Sequence, residues 1–187
     1  MNRTWTYRLV ACLVGVLVGN LGPKAYVEFR QAETREWREK VAVKAIGDEI
    51  PLDVLRPIHR SKFSVAQVLA LIETESKGNP RAKSGAGALG LMQVMGRHAT
   101  ERGYSVDDLY DPYVNVVVGL SVLEALAEQY GRSEIDYVSA WNCGPTKWDR
   151  ARDAKEAPPG ETITHWRRYR KTKRELDRWI EEGEWWE

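Results

Sequence analysis

The sequence predicts a mainly α-helical protein, and three observations carry that expectation. Apolar residues recur at three- and four-residue spacing in two long stretches, Val65 to Ile72 and Val116 to Ala127. Helix stops follow both: Gly78-Asn79-Pro80 after the first and Gly131 after the second. From Ile58 to about Trp166 no run alternates convincingly between apolar and polar residues, so no strand is expected there.

The chain opens on "MNRTWTYR", with Arg3 and Arg8, and continues into the apolar run "LVACLVGVLVGNLG". That run is shorter than the ~20 residues that span a bilayer. It fits the apolar region of a secretory signal or a short, weakly hydrophobic anchor. Arginines before it, with few charges directly after, would hold the N-terminus in the cytoplasm and send the rest outward. Residues 1–23 are therefore expected to be a signal or membrane-anchor segment. The protein is then exported, periplasmic or inner-membrane-anchored, with its main domain facing the periplasm. The alternative is a buried N-terminal helix of a soluble protein. Cys12 lies in this run and Cys143 far away in a loop, so no disulfide is expected between them.

Residues 24–50 mix acids and bases at helical spacing. Glu36 with Lys40 and Arg35 with Glu39 form i,i+4 pairs, and Val27, Trp37 and Val41 leave a thin apolar stripe. This reads as a solvated, charged stem helix that holds the next domain away from the apolar segment. Gly47, Pro51 and Pro57 break the helix, which places a domain at 51–170. Within it, Ser64 and Gln67 make a capping box before "VAQVLALIE". "RAKSGAGALGLMQVM" is glycine-rich and without long period. "DPYVNVVVGLSVLEALAEQYG" is a second strong helix, and "EIDYVSAWN" a third, shorter one ending at Cys143-Gly144-Pro145. Residues 171–187 form a charged, Trp-rich tail, which begins within the basic "HWRRYRKTKRELDRW" and ends on the acidic, aromatic "IEEGEWWE". It reads as a solvated terminal helix or as a patch that attracts anionic wall polymer or lipid.

Composition narrows the function classes. A net charge of +1 does not suggest a nucleic-acid binder. Eight tryptophans against two phenylalanines suit sugar faces, interfaces and cores alike.

"ALIETESKGNP" holds the most informative detail. Glu73 and Glu75 sit at a helix C-terminus, where the backbone dipole disfavours carboxylates. Residues two apart lie roughly 200° round the axis, so the two cannot act as an acid–base pair. Glu75 follows the buried side set by Leu69 and Ile72, and Glu73 turns toward solvent. A carboxyl in such a place is disfavoured in its charged form, which is what a general acid needs. Taken alone, the position better describes a surface acid at a helix C-terminus.

The surrounding residues add a resemblance. "ETESKGNPRAKSGAGALGLMQVM" is similar to the catalytic stretch of the family 1 soluble-type lytic transglycosylases, through Glu75-Ser76, Asn79-Pro80, Ser84 and Gly87 through Gln93. Further matches are Asp111, Pro112, Asn115, Gly119 and Leu123, then "SAWNCGP" up to Pro145, then "PPGETITHW". The resemblance spans roughly Ile58 to Trp166 and implies a lysozyme-like, goose-type α-helical domain. It implies murein glycan as substrate and no cofactor. Glu75 would protonate the oxygen between N-acetylmuramic acid and N-acetylglucosamine. As a carboxylate it would then take the proton from the muramyl 6-hydroxyl, which closes a 1,6-anhydro ring without water. One carboxylate suffices for this, where the usual hydrolase needs two.

The same resemblance implies substrate-binding roles for Ser76, Ser84, the backbone of Met92, Gln93, Trp141, Asn142 and His165. Met92, Met95 and Trp141 would form an apolar wall beside Glu75. Two positions depart from the family: Trp141 and His165 stand where it carries tyrosines. His165 is placed to hydrogen-bond Glu75. His59 and His98 fit no ligand cluster, so no metal site is expected. Envelope-spanning or phage lysis machinery are candidate partners, with the membrane reached through the N-terminus. The rival readings are a true muramidase hydrolase on the same fold, or a glycan-binding or assembly protein whose catalysis has decayed.

Overall fold

A computed structural model describes residues 35–182. The expected signal or anchor segment, residues 24–34 of the stem and residues 183–187 of the tail lie outside the described residues. The element order is α1 (Arg35–Ile46), a 3-10 turn (Leu52–Val54), α2 (Leu55–Arg60), α3 (Val65–Ser76), β1 (Ala88–Leu89), β2 (Val94–Met95), α4 (Gly96–Thr100), a 3-10 turn (Asp107–Tyr110), α5 (Pro112–Gln129), α6 (Glu134–Cys143), α7 (Pro145–Ala154), α8 (Gly160–Asp177) and a π turn (Arg178–Glu182). Among the described residues no helix is long and apolar enough to cross a membrane.

α3 is the centre of the molecule. Val65, Ala66, Val68, Leu69, Ala70, Leu71 and Ile72 are all buried. A helix apolar on every side must be covered on every side. α8 lies along it, α6 packs on both α8 and α5, and α1 and α2 close the remaining side. Its start is capped as expected. Ser64 Oγ accepts from Gln67 N–H (3.1 Å), and Gln67 Oε1 accepts from Ser64 N–H (2.8 Å). α5 opens in a similar manner: Asp111 accepts from Val114 N–H at 2.9 Å, and Pro112 occupies the first turn, where no N–H is needed.

Two expectations need correction. The glycine-rich stretch contains a strand pair, with Ala88 opposite Met95 and Leu89 opposite Val94 in antiparallel register. Strands of two residues are too short to show alternation, so the pattern could not reveal them. The stem and tail are also not solvated appendages. Ala42, Val43 and Ile46 of α1 share the core with Leu176, Trp179 and Ile180. Trp179 Nε1 donates to Arg38 O at 3.2 Å, and Arg35 pairs with Glu181 at 3.0 Å. α8 runs unbroken through the expected boundary at residue 170. The buried residues Ala42, Val43 and Ile46 of α1 find their partners more than a hundred residues later, where local spacing cannot point. The two i,i+4 pairs of α1 do form, Lys40 to Glu36 at 2.6 Å and Arg35 to Glu39 at 3.1 Å.

Candidate active site

Glu75 lies in the last turn of α3. The next residue but one, Lys77, adopts a left-handed conformation (φ 53°), and Gly78 follows at φ 72°. The chain turns sharply there because α1 stops against it. A Cβ on Gly78 would run into the Ile46 carbonyl, and one on Gly47 would approach Gly78 O to 2.6 Å. Only glycines allow two backbones so close. The end of α3, and with it Glu75, is thus pinned by α1.

α8 supplies the partner. His165 Nε2 lies 2.8 Å from Glu75 Oε1, with side-chain exposures of 4% and 14%. The other ring nitrogen, Nδ1, is buried and has no hydrogen-bond partner among the described residues. The same inward face of α8 carries Thr162 and Tyr169. Thr162 Oγ1 donates to Asn142 Oδ1 at 2.9 Å, and Tyr169 O–H donates to Glu134 Oε1 at 2.6 Å. Burial, and then the Glu134 charge, push the Tyr169 phenol far above its usual range, so it stays a donor.

The stretch from Ser76 to Gln93 folds into a braced loop beside Glu75. Ser76 Oγ donates to Leu91 O at 2.7 Å, with Ile72 O also near at 3.1 Å. Ser84 Oγ accepts from Ala88 N–H at 3.0 Å, which leaves its own hydrogen to donate outward. Gln93 adopts φ 52°, and its Nε2 donates to Gly90 O (3.0 Å) and Ala82 O (3.2 Å). Behind the loop, Asn115 on α5 is fully buried. It accepts from Met92 N–H (2.8 Å) and donates to Leu89 O (2.9 Å) and Leu109 O (2.8 Å). Gly90, at φ 74°, has Asn115 against the place where a Cβ would sit.

These contacts sort the expected site residues. Glu75 and His165 come together. Trp141 is half-buried and shares a cavity of about 150 Å³ with Gln93 and Met95. Asn142 is exposed, and the bond from Thr162 occupies only its oxygen, so its amide hydrogens face outward. Ser76 instead braces backbone. Met92 is corrected: its side chain is fully buried against Gly119, and its N–H is taken by Asn115, so neither reaches a cleft. Asn115 had been singled out only as a matching residue. Its role as the hub of the loop rests on carbonyls that local spacing does not bring near. A larger cavity of about 710 Å³ lies between α1 and the 52–59 segment. It is remote from this chemistry, and the charged pair there satisfies itself: Glu39, buried, meets Arg35 at 3.1 Å and His59 at 2.7 Å.

The chain is similar to known proteins over this region. Residues 57–163, more than half the chain, match the family described as Transglycosylase SLT domain. A "Transglycosylase" of Enterobacteria phage PRD1 is 44% identical over 64 residues, covering 34% of this chain and 23% of that protein. The "Soluble lytic murein transglycosylase" of Escherichia coli (strain K12) is 39% identical over 85 residues, covering 41% of this chain and 13% of that one. The crystal structure of a 70 kDa soluble lytic transglycosylase from Escherichia coli superposes with a TM-score of 0.62 at 25% identity, covering 81% of this chain and 30% of that one. The chain thus spans under a quarter of the length of these two curated relatives.

Proposed function

This chain belongs to the transglycosylase SLT domain family, and from that premise we propose that it is a murein lytic transglycosylase. It cuts the β-1,4 bond between N-acetylmuramic acid and N-acetylglucosamine. Glu75 protonates the leaving oxygen and then accepts the muramyl 6-hydroxyl proton, so the product ends in a 1,6-anhydro sugar. The observation that carries this is the placement of Glu75: inside the matched segment, 14% exposed, at a helix end against which α1 and α8 pack. Positioning of that quality supports general acid–base catalysis, which contributes roughly 10²- to 10⁴-fold.

Around it, Ser84 and Asn142 offer donors that suit an acetamido carbonyl, and Gln93 and Trp141 line the adjoining cavity. Trp141 offers its face to a sugar ring and its indole N–H as a donor. Residues 1–23 carry the protein across or into the inner membrane, with the catalytic domain in the periplasm, and murein glycan strands are its partner there. Lysis or envelope-spanning machinery is a further partner class.

The test is product mass. Full-length protein incubated with purified sacculi should release muropeptides that end in 1,6-anhydro-N-acetylmuramic acid. Reducing ends of 18 Da greater mass, one water, would instead mark a hydrolase. E75Q should bind sacculi yet lose at least about 10²-fold in release. Binding without release by the wild-type chain would establish the decayed, glycan-binding alternative.

A further inference from the structure

We propose that His165 and Glu75 form a proton-sharing dyad, and that the proton delivered to the leaving sugar oxygen is the one held between His165 Nε2 and Glu75 Oε1. The inference rests on the transglycosylase reading above and assigns the proton's source.

Three observations carry it. The two atoms are 2.8 Å apart, and both side chains are largely removed from water. A histidine that serves only packing or scaffolding normally satisfies both nitrogens when buried. Here Nδ1 has no partner, so among the described residues the ring's bonding is directed at Glu75 alone. Third, the neighbours of the ring on its own helix are tied down. The ring sits on α8 between Thr162, tied to Asn142, and Tyr169, tied to Glu134.

Two bases within hydrogen-bond reach titrate as a unit. With one proton added, the pair is either imidazolium with carboxylate or imidazole with carboxylic acid, and both forms use the same bond. A carboxyl without such a partner has only one of these forms. Other titratable groups on the elements packed against α8 are engaged elsewhere. On α6, Glu134 and Tyr137 face Tyr169, Asp136 holds Trp148 and Arg152, and the Cys143 thiol meets Thr162. In the π turn, Glu181 pairs with Arg35. Glu73 lies on the other side of α3, and it has a contact of its own. Glu161, Arg167 and Arg168 of α8 itself are exposed.

The reaction closes without a co-reactant. The dyad's proton passes to the glycosidic oxygen as its bond to C1 breaks. The muramyl 6-oxygen then bonds to C1, and its proton returns to the dyad. His165 touches no reacting atom, so it is a positioning residue and proton partner for Glu75.

The decisive measurement is the pH–rate profile of sacculus cleavage by the full chain, its H165Q variant and its H165Y variant. Glutamine and tyrosine can hydrogen-bond Glu75, but neither holds an exchangeable extra proton near neutrality. Both variants should cleave, with the alkaline limb displaced to lower pH by about one unit or more. An alkaline limb at the wild-type position in both would overturn the dyad. Nitrogen-15 NMR of the His165 ring gives a readout independent of turnover. Its titration should shift between wild-type and E75Q, and identical curves would overturn the proposal even if neither His165 variant folds. A wild-type chain that never cleaves sacculi would overturn the transglycosylase reading instead, and the NMR comparison would still decide the dyad.

Discussion

The two ends of α3 are only about 18 Å apart, yet they are built differently. At the N-terminal end the polar side chains are bonded to one another and to backbone. Ser64 and Gln67 cap one another, and Gln67 Nε2 also donates to Tyr137 O–H (3.0 Å) and Glu134 Oε1 (3.1 Å). Tyr169 completes that network from α8. At the C-terminal end the chain reverses through a left-handed lysine, the Glu75 side chain keeps some exposure, and one nitrogen of His165 is unpartnered. The same helix, α8, braces both ends, through Tyr169 at one and His165 at the other. A closed polar network rigidifies the scaffold, while an incompletely satisfied one leaves bonding capacity for a reaction.

Substitutions at each end test that contrast. The largest effect is expected at Gly78. G78A puts a Cβ into the Ile46 carbonyl at a left-handed position, which should cost about 2–4 kcal/mol. Thermal unfolding measures it, and a melting temperature equal to wild type would show that α1 does not pin the active end.

Y169F comes next. It removes the donor to Glu134, a hydrogen bond to a charged group worth about 1.5–3 kcal/mol. Its pH dependence sharpens the point. The Tyr169 and Tyr137 phenols are both raised in the folded state, chiefly by burial. A raised group contributes stability that is intact below its unfolded value of 10.0 and is lost as pH climbs above it. Circular dichroism should therefore show wild-type stability falling above pH 10, and less steeply in Y169F. The smallest effect is S64A, which deletes one cap at about 1 kcal/mol and should leave the rate per folded molecule unaltered. A rate loss there would mean that the two ends are coupled more tightly than their separate bonding implies.

The legible parts of the chain share a physical character. The Ser64–Gln67 box, the helix stop at Gly78-Asn79-Pro80 and the Asp111-Pro112 start of α5 are each made by residues a few positions apart. Glu75 was legible as an acid at a helix end, but only the motif around it, from Glu75-Ser76 to Gln93, set it apart from a surface acid. The short strand pair, the packing of α1 against Trp179 and Ile180, and the Asn115 hub were not legible. Each joins residues separated by intervals that no helical or strand period relates. Met92 shows the converse hazard. A motif position suggested a cleft residue, but the packing of Gly119 placed it in the core.

By itself, then, the sequence determined that the protein is helical and where its main helices begin and end. Local hydrogen bonds and periodic burial suffice for those decisions. Only the tertiary structure decided that residue 165 meets residue 75, that the charged first helix belongs to the core, and that Met92 is hidden. Those outcomes depend on which distant surfaces bury one another, a property of the assembled packing that no local window contains.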